Sequence, residues 1–129
     1  MKIFTHPQIT IDQRSFNDDP CLYIKFRGKL DNTSAQKACN EWGALLQNSS
    51  LEKFVIVWDC TDMTGFENSA RNTWQECLTQ SKHKISFVVL ISGNIVIRSA
   101  GKLMLKLLGI NCVLLRKREA LSNLAKEHY

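Results

Sequence analysis

The chain has 129 residues, 44% of them hydrophobic and 22% charged, with a formal net charge of +5. This is the balance of an ordinary soluble globular protein, and the length fits one domain over residues 1–129 with a real core. No run approaches the roughly 18 apolar residues of a membrane span, the segment Met1 to Pro7 lacks the apolar centre of a signal peptide, and five scattered cysteines with no CxxC pair argue against a zinc site or a disulfide framework.

A first strand is expected over Ile9 to Arg14, where Ile9 and Ile11 alternate with polar residues. Asn17-Asp-Asp-Pro20 marks a turn. Leu22, Ile24 and Phe26 alternate in turn, so Cys21 to Phe26 reads as the hairpin partner, closed by Gly28-Lys-Leu30. Asp31, Asn32 or Thr33 can cap a helix, Thr33 with Gln36 fitting a capping box, and the helix runs to about Gln47 with Ala35, Ala38, Cys39, Trp42, Leu45 and Leu46 at helical spacing. Phe54 to Trp58 is short and continuously apolar, which suits a strand covered on both faces. A polar loop follows Asp59. Thr64 and Glu67 fit a capping box, which places a second helix from Gly65 to about Gln80. Phe87 to Ile91 reads as another buried strand, and Ile95 to Leu108 as a helix stopped by Gly109. A short strand, Cys112 to Leu115, and a helix, Glu119 to Lys126, end the series. The order β-β-α-β-α-β-α-β-α implies an α/β fold, a mixed central sheet with helices packed on it.

The charge is uneven along this series. Residues 1–76 hold eight Lys/Arg and ten Asp/Glu, a net of −2, whereas residues 77–129 hold nine and two, a net of +7. Between Cys77 and Arg118 there is no carboxylate. Such asymmetry can mark an acidic partner, an anionic surface or nucleic acid, although basic residues spread this widely also simply coat helix faces. Cys60 and Cys112, in or beside apolar runs, read as small core residues. A reducing, cytoplasmic setting is the simplest account of the free cysteines.

Several segments together resemble the STAS domain, named for sulphate transporters and anti-sigma factor antagonists. Gly28-Lys-Leu-Asp31 is similar to the family's Gly-x-Leu-Asp, and Val55-Ile-Val-Trp-Asp59 to its apolar strand ending in Asp. Where the family places Asp-Ser-Ser/Thr-Gly, this chain has Glu67-Asn-Ser-Ala70. Ile91-Ser92, then a helix and Gly109, resembles the family's strand-Ser-Pro-helix-Gly, with Gly93-Asn94 where Pro would stand. Arg118-Glu-Ala-Leu121 resembles the start of its last helix. The match runs from Leu22 to Leu124. It implies a non-enzymatic regulatory or scaffolding domain that meets a partner protein, such as a kinase or phosphatase, at the edge Asp59 to Trp74. In the antagonists the first Ser of that motif is phosphorylated. Asn68 stands there in this chain, and an amide takes no phosphate. Ser69, the next hydroxyl, is the remaining candidate acceptor. Gly65-Phe66, Ala70-Arg71 and Trp74 bring the chain nearer to the SpoIIAA-like proteins of bacteria.

The contact residues expected on that edge are Asp59, Asp62, Glu67, Asn68, Ser69, Arg71 and Trp74. Asp59 and Asp62 could also hold a cation, though capping is the commoner use of such a pair. Trp42, Trp58 and Trp74 are core anchors by default. No catalytic set is expected: His6, His83 and His128 are far apart, and there is no GxSxG, P-loop or GxGxxG motif. No cofactor and no metal are implied. Arg98, Lys102 and Lys106, four residues apart, form a basic stripe suited to an anionic ligand. Opposite stand Ile97, Ala100, Met104 and Leu107 or Leu108, and Val96, Leu103 and Leu105 broaden the apolar face. Some STAS-like proteins share their fold with CRAL-TRIO lipid-binding domains, so a lipid or small apolar ligand under Ile95 to Leu108 is the alternative function. A homodimer covering this helix is a further expectation. Nucleic acid ranks last, because no aromatic platform is interleaved with the basic residues.

Overall fold

The computed structural model describes residues 2–50 and 53–127. In chain order these form β1 (Lys2–Thr5), β2 (Ile9–Phe16), β3 (Asp19–Leu30), α1 (Asn32–Asn48), β4 (Phe54–Phe66), α2 (Asn68–Ser81), β5 (Ile85–Ile91), α3 (Ile95–Leu107), β6 (Cys112–Leu115) and α4 (Ala120–Glu127), with a short 3-10 turn at Lys82–Lys84 before β5. The α/β class holds, with one strand more than the sequence pattern implied. Lys2–Thr5 pairs with β2 through an irregular register. It is four residues long, too short to show a period of its own.

The sheet is six-stranded, in the order β1-β2-β3-β4-β5-β6. The first two pairings are antiparallel and the other three parallel. β2 and β3 meet at a two-residue turn in which Asn17 and Asp18 both take positive φ, 52° and 69°, as a primed hairpin turn requires. Alternate residues of the central strands point to opposite faces. Ile24, Ile56, Trp58 and Leu90 meet α1, α2 and α3, which contribute Ala38, Trp42, Trp74, Leu78 and Leu105. Tyr23, Val55, Val57, Val89 and Ile91 form a smaller core with Phe16 and Leu124 of α4. β4 is buried without interruption from Phe54 to Cys60, as a strand covered on both faces should be.

Two expectations change. The polar segment after Asp59 is strand, not loop. β4 pairs with β5 only as far as Asp59↔Ile91, but it continues along β3 from Arg27↔Asp62 to Leu30↔Phe66. An irregularity at Gly28, with φ 67°, lets β3 follow it. α2 therefore starts at Asn68 rather than Gly65. The capping box from Thr64 to Glu67 is also absent: Glu67 occupies the N-cap position of α2 but makes no side-chain cap bond there.

α1 and α3 keep their expected bounds to within a residue, and the cap of α1 is Asp31 rather than Asn32 or a box of Thr33 with Gln36. Asp31 caps α1, its carboxylate accepting from Ser34 N–H at 2.8 Å. Asn94 caps α3, accepting from Val96 N–H at 2.9 Å and Ile97 N–H at 3.2 Å. At its other end Gly109 N–H donates to Lys106 O and Ile110 N–H to Leu105 O, the paired bonds of a Schellman stop, with Gly109 at φ 72°. Between these ends α3 lies close against β5. A Cβ built on Gly101 would sit 2.6 Å from Leu90 Cδ2, and Leu90 is buried. Gly101→Ala must displace Leu90 or lift the helix, and should cost about 1–3 kcal/mol, read as a lower midpoint in urea unfolding at unchanged slope.

Candidate functional site

The residues of interest collect where the parallel strands end, the usual place for function in an α/β sheet. Asp59 is the last β4 residue paired on both sides, and it faces α4 with 0% exposure. An isolated carboxylate there would be strongly disfavoured. Its oxygens are instead filled. Oδ1 accepts from Thr61 Oγ1 at 2.6 Å and Thr61 N–H at 3.1 Å. Oδ2 accepts from the Tyr23 hydroxyl and from Arg118 Nε at 2.5 Å. Burial alone would push this carboxyl up, but the bonds from Arg118, Thr61 and Tyr23 outweigh it and hold it below its ordinary value of 3.8. The Tyr23 phenol is driven up by burial and by the adjoining carboxylate. The hydrogen bond to Asp59 raises Arg118 further. Arg14 lies over the outer face of the Tyr23 ring, 3.9 Å from Cζ to centroid. The cation shared by Asp59 and Asp62 is thus the Arg118 guanidinium, whose Nη2 stands 3.7 Å from Asp62 Oδ2. Lys25 Nζ approaches the same Asp62 oxygen at 3.5 Å.

On the other face the helix starts converge. Glu67 N–H donates to Leu30 O at 2.9 Å, and the Glu67 carboxylate accepts from Asn32 N–H at 3.0 Å, so it serves the first turn of α1. Thr73 Oγ1 joins the two helices through Asn32 Oδ1 at 2.6 Å. Around this junction Asp62, Glu67, Asn68, Ser69 and Arg71 are exposed.

Beside it lies an apolar cavity of about 60 Å³. It is lined by Trp58 and Leu90 of the sheet, Phe66 at the end of β4, Trp74 of α2, and Ile97 and Gly101 of α3, and it opens to the surface. The expectation of an apolar space under α3 therefore has a counterpart. Its volume is less than half of the roughly 150 Å³ that admits benzene in an engineered core, far too small for a lipid chain with α3 in place. The outer side of α3 is itself apolar. Ile95, Val96, Leu103 and Leu107 are each more than half exposed. Val96, Ala100, Leu103 and Leu107 follow one another at helical spacing, so this row borders the cavity wall through Ala100.

The expected site residues divide accordingly. Asp59 and Trp74 are buried and offer no contact surface, the first held by Arg118 and the second packed among Phe26, Trp42 and Trp58. The others named on that edge are exposed. In the basic stripe Lys102 and Lys106 are exposed, but Arg98 is half-buried and donates through Nη1 to Ser92 O at 3.2 Å. Leu107 faces solvent rather than the core, whereas Ile97, Met104 and Leu105 are buried. His6 lies beside β1 and His83 precedes β5, strands separated by about 19 Å across the sheet. His128 lies outside the described residues. Among the described residues there is no cluster of three metal-ligating side chains, and no helix is long and apolar enough to cross a membrane. Tyr23, Thr61 and Arg118 were not foreseen in the Asp59 site, and neither was Met63 in the cavity. Only the strand register shows that Tyr23 and Asp59 share a face.

No family model matches the sequence, and no curated protein matches it. Solved structures do. An uncharacterized DUF3478-family protein with a SpoIIAA-like fold, from Shewanella loihica PV-4, superposes with a TM-score of 0.76 at 15% identity, over 95% of this chain and 97% of that one. The anti-sigma factor antagonist SpoIIAA in its unphosphorylated form gives 0.64 at 9% identity, over 94% and 99%. The Bacillus cell fate determinant SpoIIAA in the phosphorylated form gives 0.62 at 11% identity, over 90% and 98%. The chain has the SpoIIAA-like fold, as the sequence resemblance implied.

Asp59→Asn should lower stability at pH 7 by about 1–3 kcal/mol, through loss of a charge-assisted pair whose other member reaches water. Because the native carboxyl titrates below its unfolded value, its contribution is complete above about pH 4 and fades as the pH falls through the depressed native value. The gap between wild type and Asp59→Asn in urea unfolding should therefore narrow from pH 7 to pH 3.

Proposed function

We propose that this domain acts by contact, not catalysis. A regulatory protein docks where α2 begins and where the outer side of α3 runs past the cavity. The observation that carries the reading is the exposed row Val96, Leu103 and Leu107, continuous through Ala100 with an apolar cavity wall. Water-facing aliphatics in a contiguous row mark a surface that is covered in use. Asp62, Glu67, Asn68, Ser69 and Arg71 provide a polar rim at one end, and Lys102 and Lys106 border the row. An apolar centre with a charged rim is the usual anatomy of a protein interface. The likeness to an anti-sigma factor antagonist supports a regulatory partner of the kinase or phosphatase kind. Asn68 cannot carry a phosphate. Ser69 is exposed in the first turn of α2, where the helix N-terminus would favour the added charge. A cytoplasmic setting fits the five free thiols.

The cavity favours a second use in the same contact. At about 60 Å³ it can receive one aliphatic side chain or a compact apolar molecule. A lipid would require α3 to move away.

Partner capture should be compared between tagged wild type and the double variant Leu103→Asp, Leu107→Asp, in cells of the source organism. A kinase, phosphatase or other regulator held by wild type, and bound at least about tenfold more weakly by the variant in purified form, is the expected result. Equal binding by a correctly folded variant would place the contact elsewhere. Loss of a wild-type dimer in sedimentation would identify the occupant of the row as a second copy. Incubation with a captured kinase should add phosphate to wild type and none to Ser69→Ala, if docking is coupled to phosphorylation.

A further inference from the structure

We propose that Cys39 and Cys77 form a redox-responsive dithiol, which low-molecular-weight disulfides convert into a covalent staple between α1 and α2. The two residues stand on facing helices, 38 apart in sequence. Cys77 Sγ lies 3.8 Å from the Cys39 carbonyl oxygen, which puts the Cys77 sulfur against the backbone of the residue that bears the other thiol. Both are half-buried, not sealed in the core. They line a polar groove of about 170 Å³ between the helices, together with Gln36, Asn40, Thr73 and Gln80. That groove gives a thiol or disulfide group of a small hydrophilic molecule a polar approach to the half-buried pair. The remaining thiols are placed differently: Cys21 and Cys60 are buried in the sheet and Cys112 lies on β6.

The chemistry balances as a thiol–disulfide exchange. One cysteine of the pair releases its proton to water, and its thiolate attacks a sulfur of the small disulfide. The S–S bond of the oxidant breaks, one thiolate leaves and takes up a proton, and a mixed disulfide forms. The second cysteine, likewise deprotonated, attacks the protein sulfur of that mixed disulfide and expels the other small thiolate. Two protein thiols are oxidised to one disulfide, and one small disulfide is reduced to two thiols. The hydrogen bond with Cys77 and burial push the Cys39 thiol up, so exchange should quicken as the pH rises. In a reducing compartment such a bond is transient and reports the redox poise.

The staple would act on the cavity wall. Cys77 is one helical turn beyond Trp74, and Trp74 and Arg71 line the cavity. Fixing α2 to α1 restrains the side of the cavity opposite α3.

The test uses the whole chain in its reduced state, exposed to oxidised glutathione, blocked with an alkylating agent and digested without reductant. The expected product is a cross-linked peptide pair joining Cys39 to Cys77, two hydrogens lighter than the reduced pair and released by dithiothreitol. The oxidised protein should melt roughly 10 °C higher than the reduced form. Cys77→Ser should instead retain a stable glutathione adduct on Cys39. Persistent separate adducts on both cysteines of the wild type would overturn the proposal. So would a cross-link through Cys21, Cys60 or Cys112, or no reaction at Cys39 and Cys77 across a range of glutathione potentials. Because the decisive product is read on wild-type protein, a poorly folding variant does not blunt the result.

Discussion

A charged group removed from water must be met by partners, and in this fold the group is the Asp59 carboxylate. Besides its own neighbour on the strand, it binds two pieces of chain that have no covalent reason to be together. Tyr23 comes from β3, Thr61 from the next residues of β4, and Arg118 from the turn into α4. The pairing between β3 and β4 brings Tyr23 into range, and the chain after β6 delivers the guanidinium. α4 is a short helix, and among its described side chains Leu121 and Leu124 cover the second core. Burial of that much apolar surface holds a helix only weakly. The charge pair at its start therefore decides where α4 sits, and with it whether the inward faces of β4 and β5 stay dry. Removing the pair should loosen one whole layer, not one contact.

The opposite layer is organised by the length of β4. Had β4 stopped with β5, α2 would begin near Asp59 and no wall would stand between the start of α2 and α3. Its extra residues instead run on beside β3, carrying Met63 and Phe66 out over the end of the sheet. The same extension places Glu67 against the first turn of α1. Cavity, helix junction and exposed polar rim are thus one construction. α3 completes it from the other side, brought close to β5 by the absence of a side chain at Gly101. The helix then turns apolar residues both inward and outward, which a purely structural helix has no need to do.

Much of this could be read from the sequence where the signal is local. The continuous run Phe54 to Trp58 announced a strand covered on both faces, and Gly109 announced the end of α3. The breadth of apolar residues on α3 pointed to a space beneath it and to aliphatic side chains beyond a narrow core stripe. What escaped depended on partners distant in the chain. Thr61 to Phe66 reads as loop because it is polar and contains Gly65, and only pairing with Arg27 to Leu30 makes it strand. β1 is equally silent alone. Asp59 and Trp74 looked available because polarity and aromaticity say nothing about burial. Asp59 meets Arg118 across 59 residues, and no spacing rule connects them. Glu67 fits a box within its own helix by spacing, yet its oxygen serves a helix 35 residues earlier. Fold class, which rests on periodicity, was therefore legible. Site chemistry, which rests on register, was not.

The outermost strands have a further consequence. A sheet ends in unsatisfied N–H and C=O groups that can template pairing with another molecule, and long flat edges invite disordered growth. Here the two borders are β1 and β6, each of four residues. β1 is irregular in register against its neighbour, and Arg116, Lys117 and Arg118 follow β6 directly. Little backbone is left on which a second sheet could add, and like charges crowd one exit. Association is thereby discouraged along the strands and left to side-chain surfaces, where a partner can be chosen by shape and charge and not by the generic ladder that any polypeptide can supply.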